Sequence, residues 1–358
     1  MASPTVKLNS GYDMPSLDDQ ISAAIVTALQ AGYRHIDTAW NYQCEKAVGE
    51  GLRQELQGGR IKREDLFITT KTYSVIKNIS IKIKSLQKMR CELMTHEADG
   101  HFIRFLWNTC HRRAEAAVRE SLADLGLDYL DMYLMHFPMA FKERCENEAD
   151  DVDYLDTWRE MEKLVDKGLV RSIGVSNFTI EQLTRLMNAP GIKYRPSYIQ
   201  IEVHPYFTNS DLVDFCQKEG IVVTAYAPLG RAGVDYWGNK VANILEEPII
   251  LEMAAKYKKN PGQVALRWAV QRGMAIVPKS TNPGRLKSNI ELFDLELTPE
   301  EMAAYFWPEQ KSACLHSLLL ERLSQLSLAP ERRRTKEVTR SGWTGVDNKF
   351  VHTTCDIR

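Results

Sequence analysis

The segment Leu130–His136, with the sequence LDMYLMH, decides the fold class of this chain. It is short and almost continuously apolar, and it lies between two helical patterns, Ala114–Gly126 and Asp156–Gly168. Such a run is typical of a parallel strand that is covered on both faces. The same alternation of apolar run and helical pattern recurs along the chain, which predicts a parallel α/β fold.

The alternation extends from about residue 17 to residue 293. The apolar runs are His35–Ala39, Leu66–Lys71, Leu130–His136, Ser172–Asn177, Tyr198–Pro205, Ile221–Leu229 and Ala275–Ser280. The helical patterns are Ile21–Ala31, Glu45–Leu56, Ala114–Gly126, Asp156–Gly168, Ile180–Asn188, Asp211–Gly220, Gly262–Gly273 and Asn282–Leu292. An eight-stranded barrel needs one more strand before Ile21, where only Met14–Leu17 is available. The residues alone therefore leave open a barrel without its first strand and a doubly wound sheet.

Composition and charge exclude several classes of protein. The chain has 358 residues, of which 44% are hydrophobic and 26% charged, as in ordinary globular proteins. Its net charge of −1 provides no basic field for nucleic acid. No apolar run approaches the roughly 20 residues that span a bilayer, and the N-terminus lacks a secretory pattern. The seven scattered cysteines form no CxxC or metal-binding spacing, so we expect reduced thiols, no metal site and a cytoplasmic location.

Two segments interrupt the alternation of strands and helices. Residues 72–105 separate the strand that ends at Lys71 from its expected helix, and the pattern is lost again from about Ala304. Segments of this length without a regular pattern are typical of functional lids or of disordered chain. We predict a barrel domain over residues 1–303, with an insert at 72–105, and a separate C-terminal segment over 304–358.

Four ionisable side chains lie at the ends of predicted strands or just beyond them: Asp37, Tyr42, Lys71 and His136. Taken singly, each has an ordinary structural explanation, such as a cap, a packing contact or a solvated polar group. Taken together, they can make Tyr42 a proton donor, because a lysine near Tyr42 lowers the pKa of the phenol and an aspartate keeps that lysine charged. His136 can orient a substrate oxygen. The set predicts a tyrosine that protonates a carbonyl oxygen near neutral pH.

Seven motifs follow one another along the chain: GYRHIDTAxxY (32–42), FITTK (67–71), LWNT (106–109), LGLDYLDMYLMH (125–136), IGVSNF (173–178), QxExHPY (200–206) and IVPKS (276–280). With these motifs, which occur in the family's order, the chain resembles the aldo-keto reductase superfamily, and within it the NADP-dependent aldehyde (alcohol) reductases and aldose reductases. The resemblance covers about residues 30–302 apart from the insert.

The resemblance implies a (β/α)8 TIM barrel with a truncated first strand, and NADPH-dependent, reversible reduction of aldehydes and ketones by a monomer. The four ionisable residues fall on the family's catalytic tetrad. The family's cofactor-binding positions correspond to Ser176, Asn177, Gln200, Tyr226, Lys279, Ser280, Arg285 and Asn289. Trp40, Trp107 and Phe137 are expected to give the pocket apolar walls, which suit a small carbonyl substrate.

The cofactor positions divide by chemistry. The resemblance assigns Ser176, Asn177 and Gln200 to the nicotinamide carboxamide, and Tyr226 to stacking on the nicotinamide ring. It assigns Lys279, Ser280 and Arg285 to the adenosine 2′-phosphate and Asn289 to the adenine. Basic residues near a helix start also form an anion site on physical grounds, and arginine grips phosphate with two hydrogen bonds. No GxGxxG follows a strand, which disfavours a Rossmann site.

The chain departs from the family pattern at several points. Met14–Leu17 is followed by Asp-Asp-Gln where the family continues with a glycine-rich first strand. The insert directly follows Lys71, Ser288 replaces the glutamate near the adenine, and the usual C-terminal loop is not recognisable after Met302. These departures favour one alternative: a catalytically impaired member that at most binds nucleotide or a protein partner. A channel β subunit of the same superfamily is disfavoured, because the chain has no evident partner-docking extension.

Overall fold

The computed structural model of the protein describes residues 5–7, 13–15, 17–72, 114–139, 152–230 and 242–304. The strands are β1 (Thr5–Lys7), β2 (Asp13–Pro15), β3 (His35–Asp37), β4 (Phe67–Lys71), β5 (Leu130–Met135), β6 (Val170–Ser176), β7 (Tyr198–Glu202), β8 (Val222–Tyr226) and β9 (Ala275–Val277). The α-helices are α1 (Leu17–Gln30), α2 (Glu45–Gln57), α3 (Ala114–Leu125), α4 (Tyr154–Asp166), α5 (Ile180–Met187), α6 (Ser210–Lys218), α7 (Pro248–Tyr257), α8 (Pro261–Gln271), α9 (Pro283–Ile290) and α10 (Pro299–Ala304).

Strands β3 to β9 form one parallel sheet in the order of the sequence. A doubly wound sheet would reverse its strand order at a switch point, so the sequential order excludes it. Helix α1 packs against α9, and the Tyr33 hydroxyl donates to the Leu286 carbonyl at 3.0 Å, so the first and last helices of the barrel layer meet. The result is a nearly closed barrel, and the prediction of a TIM barrel is confirmed.

Within the described residues, the predicted truncation of the first barrel strand is also confirmed. Part of the candidate segment Met14–Leu17 belongs to β2, which pairs antiparallel with β1 in a separate two-stranded sheet, with Val6 opposite Met14. Helix α1 begins immediately afterwards, at Leu17. Within the described residues, β3 and β9 each pair with a barrel strand on one side only.

The core explains why the strands read as continuous apolar runs. All six residues of β5 are buried, since one face meets the helices and the other the barrel interior. Most buried apolar residues form one cluster, which includes Trp158 and Trp268 in the helical layer. A smaller cluster is formed by Met132, Leu134 and Tyr198.

The predicted helix bounds agree with the structure to within two residues, except that α1 begins four residues earlier than expected. Helices α7 and α10 were not predicted. Beyond Thr72 the insert lies outside the described residues, as do Trp107 and the chain beyond Ala304. The proposed domain division therefore stays a prediction. Among the described helices, none is long and apolar enough to cross a membrane.

Glu45, the first residue of α2, is a buried carboxyl group behind the strand that carries Lys71. It accepts hydrogen bonds from the Thr70 hydroxyl at 2.6 Å and the Ser121 hydroxyl at 2.8 Å. Burial raises the pKa of Glu45 above its ordinary value, and the two hydroxyl donors only partly oppose that shift. The folded chain therefore holds this proton more tightly than the unfolded chain does.

We predict that Glu45→Gln makes stability less dependent on pH. Because the folded-state pKa is raised, the wild-type protein loses stability relative to the variant as pH rises from about 4.5 through the folded-state pKa. The slope of that difference is at most about 1.4 kcal/mol per pH unit for one proton. Urea unfolding at a series of pH values measures it.

Ser121→Ala provides the matched control for this prediction. It removes a donor that favours the charged form of Glu45, so it should steepen or extend the loss of stability with rising pH. Parallel stability curves for wild type and Glu45→Gln would contradict the argument.

Candidate active site

The four ionisable residues predicted to protonate the substrate, called the acid residues below, come together at the carboxyl edge of the barrel. Asp37 ends β3, Lys71 ends β4, and His136 directly follows β5. Tyr42 lies in a 3-10 turn, Trp40–Tyr42, just after β3. Because neighbouring parallel strands end at the same edge of the sheet, residues distant in sequence share one site.

Asp37 and Lys71 form an ion pair in the barrel interior. The Lys71 ammonium donates to Asp37 Oδ1 at 2.6 Å and to the Thr38 carbonyl at 2.9 Å, and its side chain is 0% exposed. Burial alone would lower the pKa of Lys71, but the adjacent Asp37 carboxylate raises it above its ordinary value. The ion pair therefore favours the charged form of Lys71.

Tyr42 lies against this ammonium. The Lys71 Nζ atom is 5.2 Å from the centre of the Tyr42 ring. Burial raises the pKa of Tyr42 above its ordinary value, and Lys71 opposes the shift without reversing it. Lys71 lowers this pKa as the sequence predicted, but the burial of the phenol, which the sequence did not reveal, raises it more, so the net shift is upward. Tyr42 is thus a neutral phenol that still carries its proton.

His136 is a neutral imidazole next to Tyr42. The two rings lie 6.0 Å apart, edge to face, and Phe137 stacks on His136 at 4.9 Å. Burial, together with the charge of Lys71, lowers the pKa of His136 to about 3. Its Nδ1 atom is buried and has no hydrogen-bond partner among the described residues. A buried imidazole with an unused nitrogen is suited to bind a polar atom of a ligand.

A cluster of amide and hydroxyl groups adjoins the acid residues. The Asn177 amide donates to the His136 carbonyl at 3.0 Å and to the Ser176 hydroxyl at 3.1 Å. The Asn177 side-chain oxygen accepts from the Tyr226 hydroxyl at 2.9 Å. Ser176 in turn donates to the Gln200 carbonyl at 2.8 Å. The four residues predicted to contact the nicotinamide carboxamide and ring therefore form one hydrogen-bonded network, which we call the amide cluster, and this network reaches the acid residues at His136.

Two residues of this region have strained backbones. Asn177 has φ 62° and Ala227, which follows Tyr226, has φ 48°. Residues other than glycine seldom adopt positive φ, and such strain concentrates at functional sites. Here it turns the chain sharply where β6 and β8 end.

The predicted phosphate-binding residues form a second group after β9. Lys279 and Arg285 are exposed, and neither side chain has an ion pair within the described ranges. Ser280 accepts from the Asn282 backbone N–H, and the Asn282 side chain caps α9. Asn289 is buried on α9. Val277 lies opposite Tyr226 in the sheet, so this group begins beside the amide cluster.

Two of the predicted pocket residues can be located. Trp40 is half-buried in the turn that carries Tyr42, and Phe137 covers one face of His136. Trp107 lies outside the described residues, and so its role stays a prediction. No cluster of three or more metal-ligating side chains occurs in the part of the chain that the structure describes.

Sequence reasoning missed two features of the site. The Thr38 carbonyl binds Lys71, and the Gln200 amide donates to Asp37 Oδ2 at 2.7 Å. A main-chain carbonyl leaves no residue-type signal. Gln200 and Asp37 are separated by 163 residues, so local spacing could not reveal their contact.

Comparison with known proteins defines the class. The sequence profile of the Aldo/keto reductase family matches residues 5–305, and the chain therefore belongs to this family of oxidoreductases. Among curated relatives, Dihydrodiol dehydrogenase 3 of Bos taurus is 39% identical over 320 residues, which cover 84% of this chain and 89% of the relative. Aldo-keto reductase family 1 member A1 of Gallus gallus is 40% identical and covers 79% of this chain and 80% of its own.

Solved structures give the same result. An aldo-keto reductase of Bombyx mori, in complex with NADP, is 37% identical with a TM-score of 0.68, and the match covers 86% of this chain and 92% of that one. The aldose reductase of Schistosoma japonicum is 35% identical with a TM-score of 0.66, over 85% and 91% of the two chains. The predicted family resemblance is confirmed.

Proposed function

We propose that this protein reduces aldehydes and ketones to alcohols with NADPH, and that Tyr42 supplies the proton. The main supporting observation is a neutral, half-buried Tyr42 phenol between a charged Lys71 and a neutral His136. Family membership and the NADP complex of the Bombyx mori relative support the cofactor. Monomeric state and cytoplasmic location stay predictions from the sequence.

The residues present fit NADPH in their donor chemistry. Asn177 and Gln200 offer amides to a carboxamide, and Tyr226 offers a ring to the nicotinamide. Lys279 and Arg285 are exposed cations at the start of α9, where an anion is favoured by the helix end as well. When bound, the cofactor supplies the hydride.

The chain's own residues handle the substrate oxygen and its proton. The Tyr42 hydroxyl and the His136 imidazole would both donate to the carbonyl oxygen and orient it. Tyr42 then transfers its proton as negative charge develops on that oxygen, and the Lys71 ammonium stabilises the resulting phenolate. Asp37 keeps Lys71 charged and in place.

A direct assay tests the proposal. Purified full-length protein should lose tryptophan fluorescence when NADPH is added, and should then oxidise NADPH with an aromatic aldehyde. The alternative, an impaired member that only binds nucleotide, is favoured by one observation: the β3 edge next to Asp37 lacks a barrel strand among the described residues. Binding without turnover would support that alternative.

We predict that Arg285→Ala weakens NADPH much more than NADH. Only NADPH carries the 2′-phosphate, and a hydrogen bond to a charged group contributes roughly 1.5–3 kcal/mol, or about 10- to 150-fold in affinity. Fluorescence titration with both cofactors measures the ratio of dissociation constants.

Lys287→Ala is the matched control for Arg285→Ala, since Lys287 is another exposed cation at the opposite end of α9. It should change both affinities little and equally. An equal loss of NADPH and NADH in Arg285→Ala would remove Arg285 from the phosphate-binding role.

A further inference from the structure

The Asp37 carboxylate is divided between two buried donors. Its Oδ1 atom accepts from Lys71 at 2.6 Å, and its Oδ2 atom accepts from the Gln200 amide at 2.7 Å. Lys71 and Gln200 are 0% and 2% exposed. Two donors from different strands therefore fix the orientation of the carboxylate.

Gln200 also belongs to the amide cluster. Its backbone carbonyl accepts from the Ser176 hydroxyl at 2.8 Å and from the Asn177 backbone N–H at 3.1 Å. One residue on β7 thus touches the cluster through its main chain and the ion pair through its side chain.

We propose that Gln200 is a positioning residue for proton transfer, which aligns Asp37 on Lys71 and so couples the amide cluster to the acid Tyr42. The inference rests on the proposed function and goes beyond a role for Gln200 in holding the cofactor. If Oδ2 loses its amide donor, the carboxylate has no buried partner on that side and turns from its bidentate arrangement. The Lys71 ammonium, which follows Asp37, then shifts relative to the Tyr42 hydroxyl.

Gln200 is the neutral donor in a charged environment. The titratable groups that interact with Asp37 are Lys71 on β4, Tyr198 on β7, His35 on β3 and Tyr42 in the following turn. A carboxylate in place of the Gln200 amide would meet Asp37 at hydrogen-bond distance, where two like charges are strongly unfavourable. A protonated carboxyl there could donate to Asp37 as the amide does.

The test compares Gln200→Met, Gln200→Glu and Ser176→Ala with the full-length wild type. Gln200→Met removes the donor and keeps the size of the side chain, so kcat should fall roughly tenfold or more, the loss of one hydrogen bond to a charged group. Gln200→Glu should lose turnover at high pH and regain it as pH falls, because a proton restores the donor. Ser176→Ala, which touches Gln200 and not Asp37, should weaken NADPH binding without moving the pH profile of kcat.

A measurement on the cofactor-free protein separates positioning from cofactor binding. The 13C signal of the Asp37 carboxyl group, assigned by its loss in Asp37→Asn, should shift in both Gln200 variants and stay in place in Ser176→Ala. An unmoved Asp37 signal, with a change in NADPH affinity alone, would overturn the inference and leave the proposed function standing. A wild type that binds NADPH without turnover would overturn the proposed function, and the inference with it.

Discussion

Tyr42→Phe is expected to lower kcat by about 10²- to 10⁴-fold while NADPH binding is retained. The substitution keeps the ring against Lys71 and removes only the hydroxyl that carries the proton. The large effect follows from the surroundings, since burial holds Tyr42 neutral until a substrate oxygen develops charge. Single-turnover oxidation of NADPH measures the loss of rate, and fluorescence titration measures the affinity for the cofactor.

Tyr129→Phe is the matched control for this substitution. Tyr129 precedes β5 at the opposite end of the barrel, where its ring lies between Arg63 and Arg171. Its hydroxyl cannot reach the acid site, so kcat should be close to that of the wild type. Normal turnover in Tyr42→Phe would remove Tyr42 from the role of proton donor.

The local pattern of the sequence was sufficient for the parallel α/β class, because the apolar run of each strand indicates that the strand is buried. The choice of a barrel came from the family resemblance. All residues of β5 are buried, and that is what a run such as LDMYLMH indicates. Strand ends also pointed to Asp37, Lys71 and His136, since the carboxyl edge of parallel strands gathers side chains. The truncated first barrel strand was visible as well, because Met14–Leu17 runs directly into Asp-Asp-Gln, where a glycine-rich strand was expected.

Properties that depend on the assembled interior could not be predicted in this way. The direction of the Tyr42 pKa shift depends on the balance between the burial of the phenol and the charge of Lys71, and neither can be obtained from the local sequence. The contact between Gln200 and Asp37 depends on how the nearly closed sheet places β7 relative to β3. Helix α7 was missed because two helices, α7 and α8, lie between β8 and β9, where the alternation predicted one.

The same interior makes Lys71→Met the other substitution with a large expected effect, and it should lower both stability and activity. Loss of the ammonium leaves the Asp37 carboxylate in the barrel with the Gln200 amide and without its cation. Breaking a buried ion pair by removing one partner typically costs about 3–5 kcal/mol. Urea unfolding should show a loss of that order, and turnover should be abolished because Tyr42 has no charge to stabilise its phenolate.

Adding Asp37→Asn to Lys71→Met distinguishes these two effects. The double variant contains no uncompensated buried charge, and the asparagine oxygen can still accept from Gln200, so much of the stability should return. Turnover should not return, because the ammonium that Tyr42 needs is still absent. If the double variant were no more stable than Lys71→Met, the cost would lie in the packing of the long Lys71 side chain and not in the unpaired carboxylate. The ion pair would then contribute to catalysis without contributing to the fold.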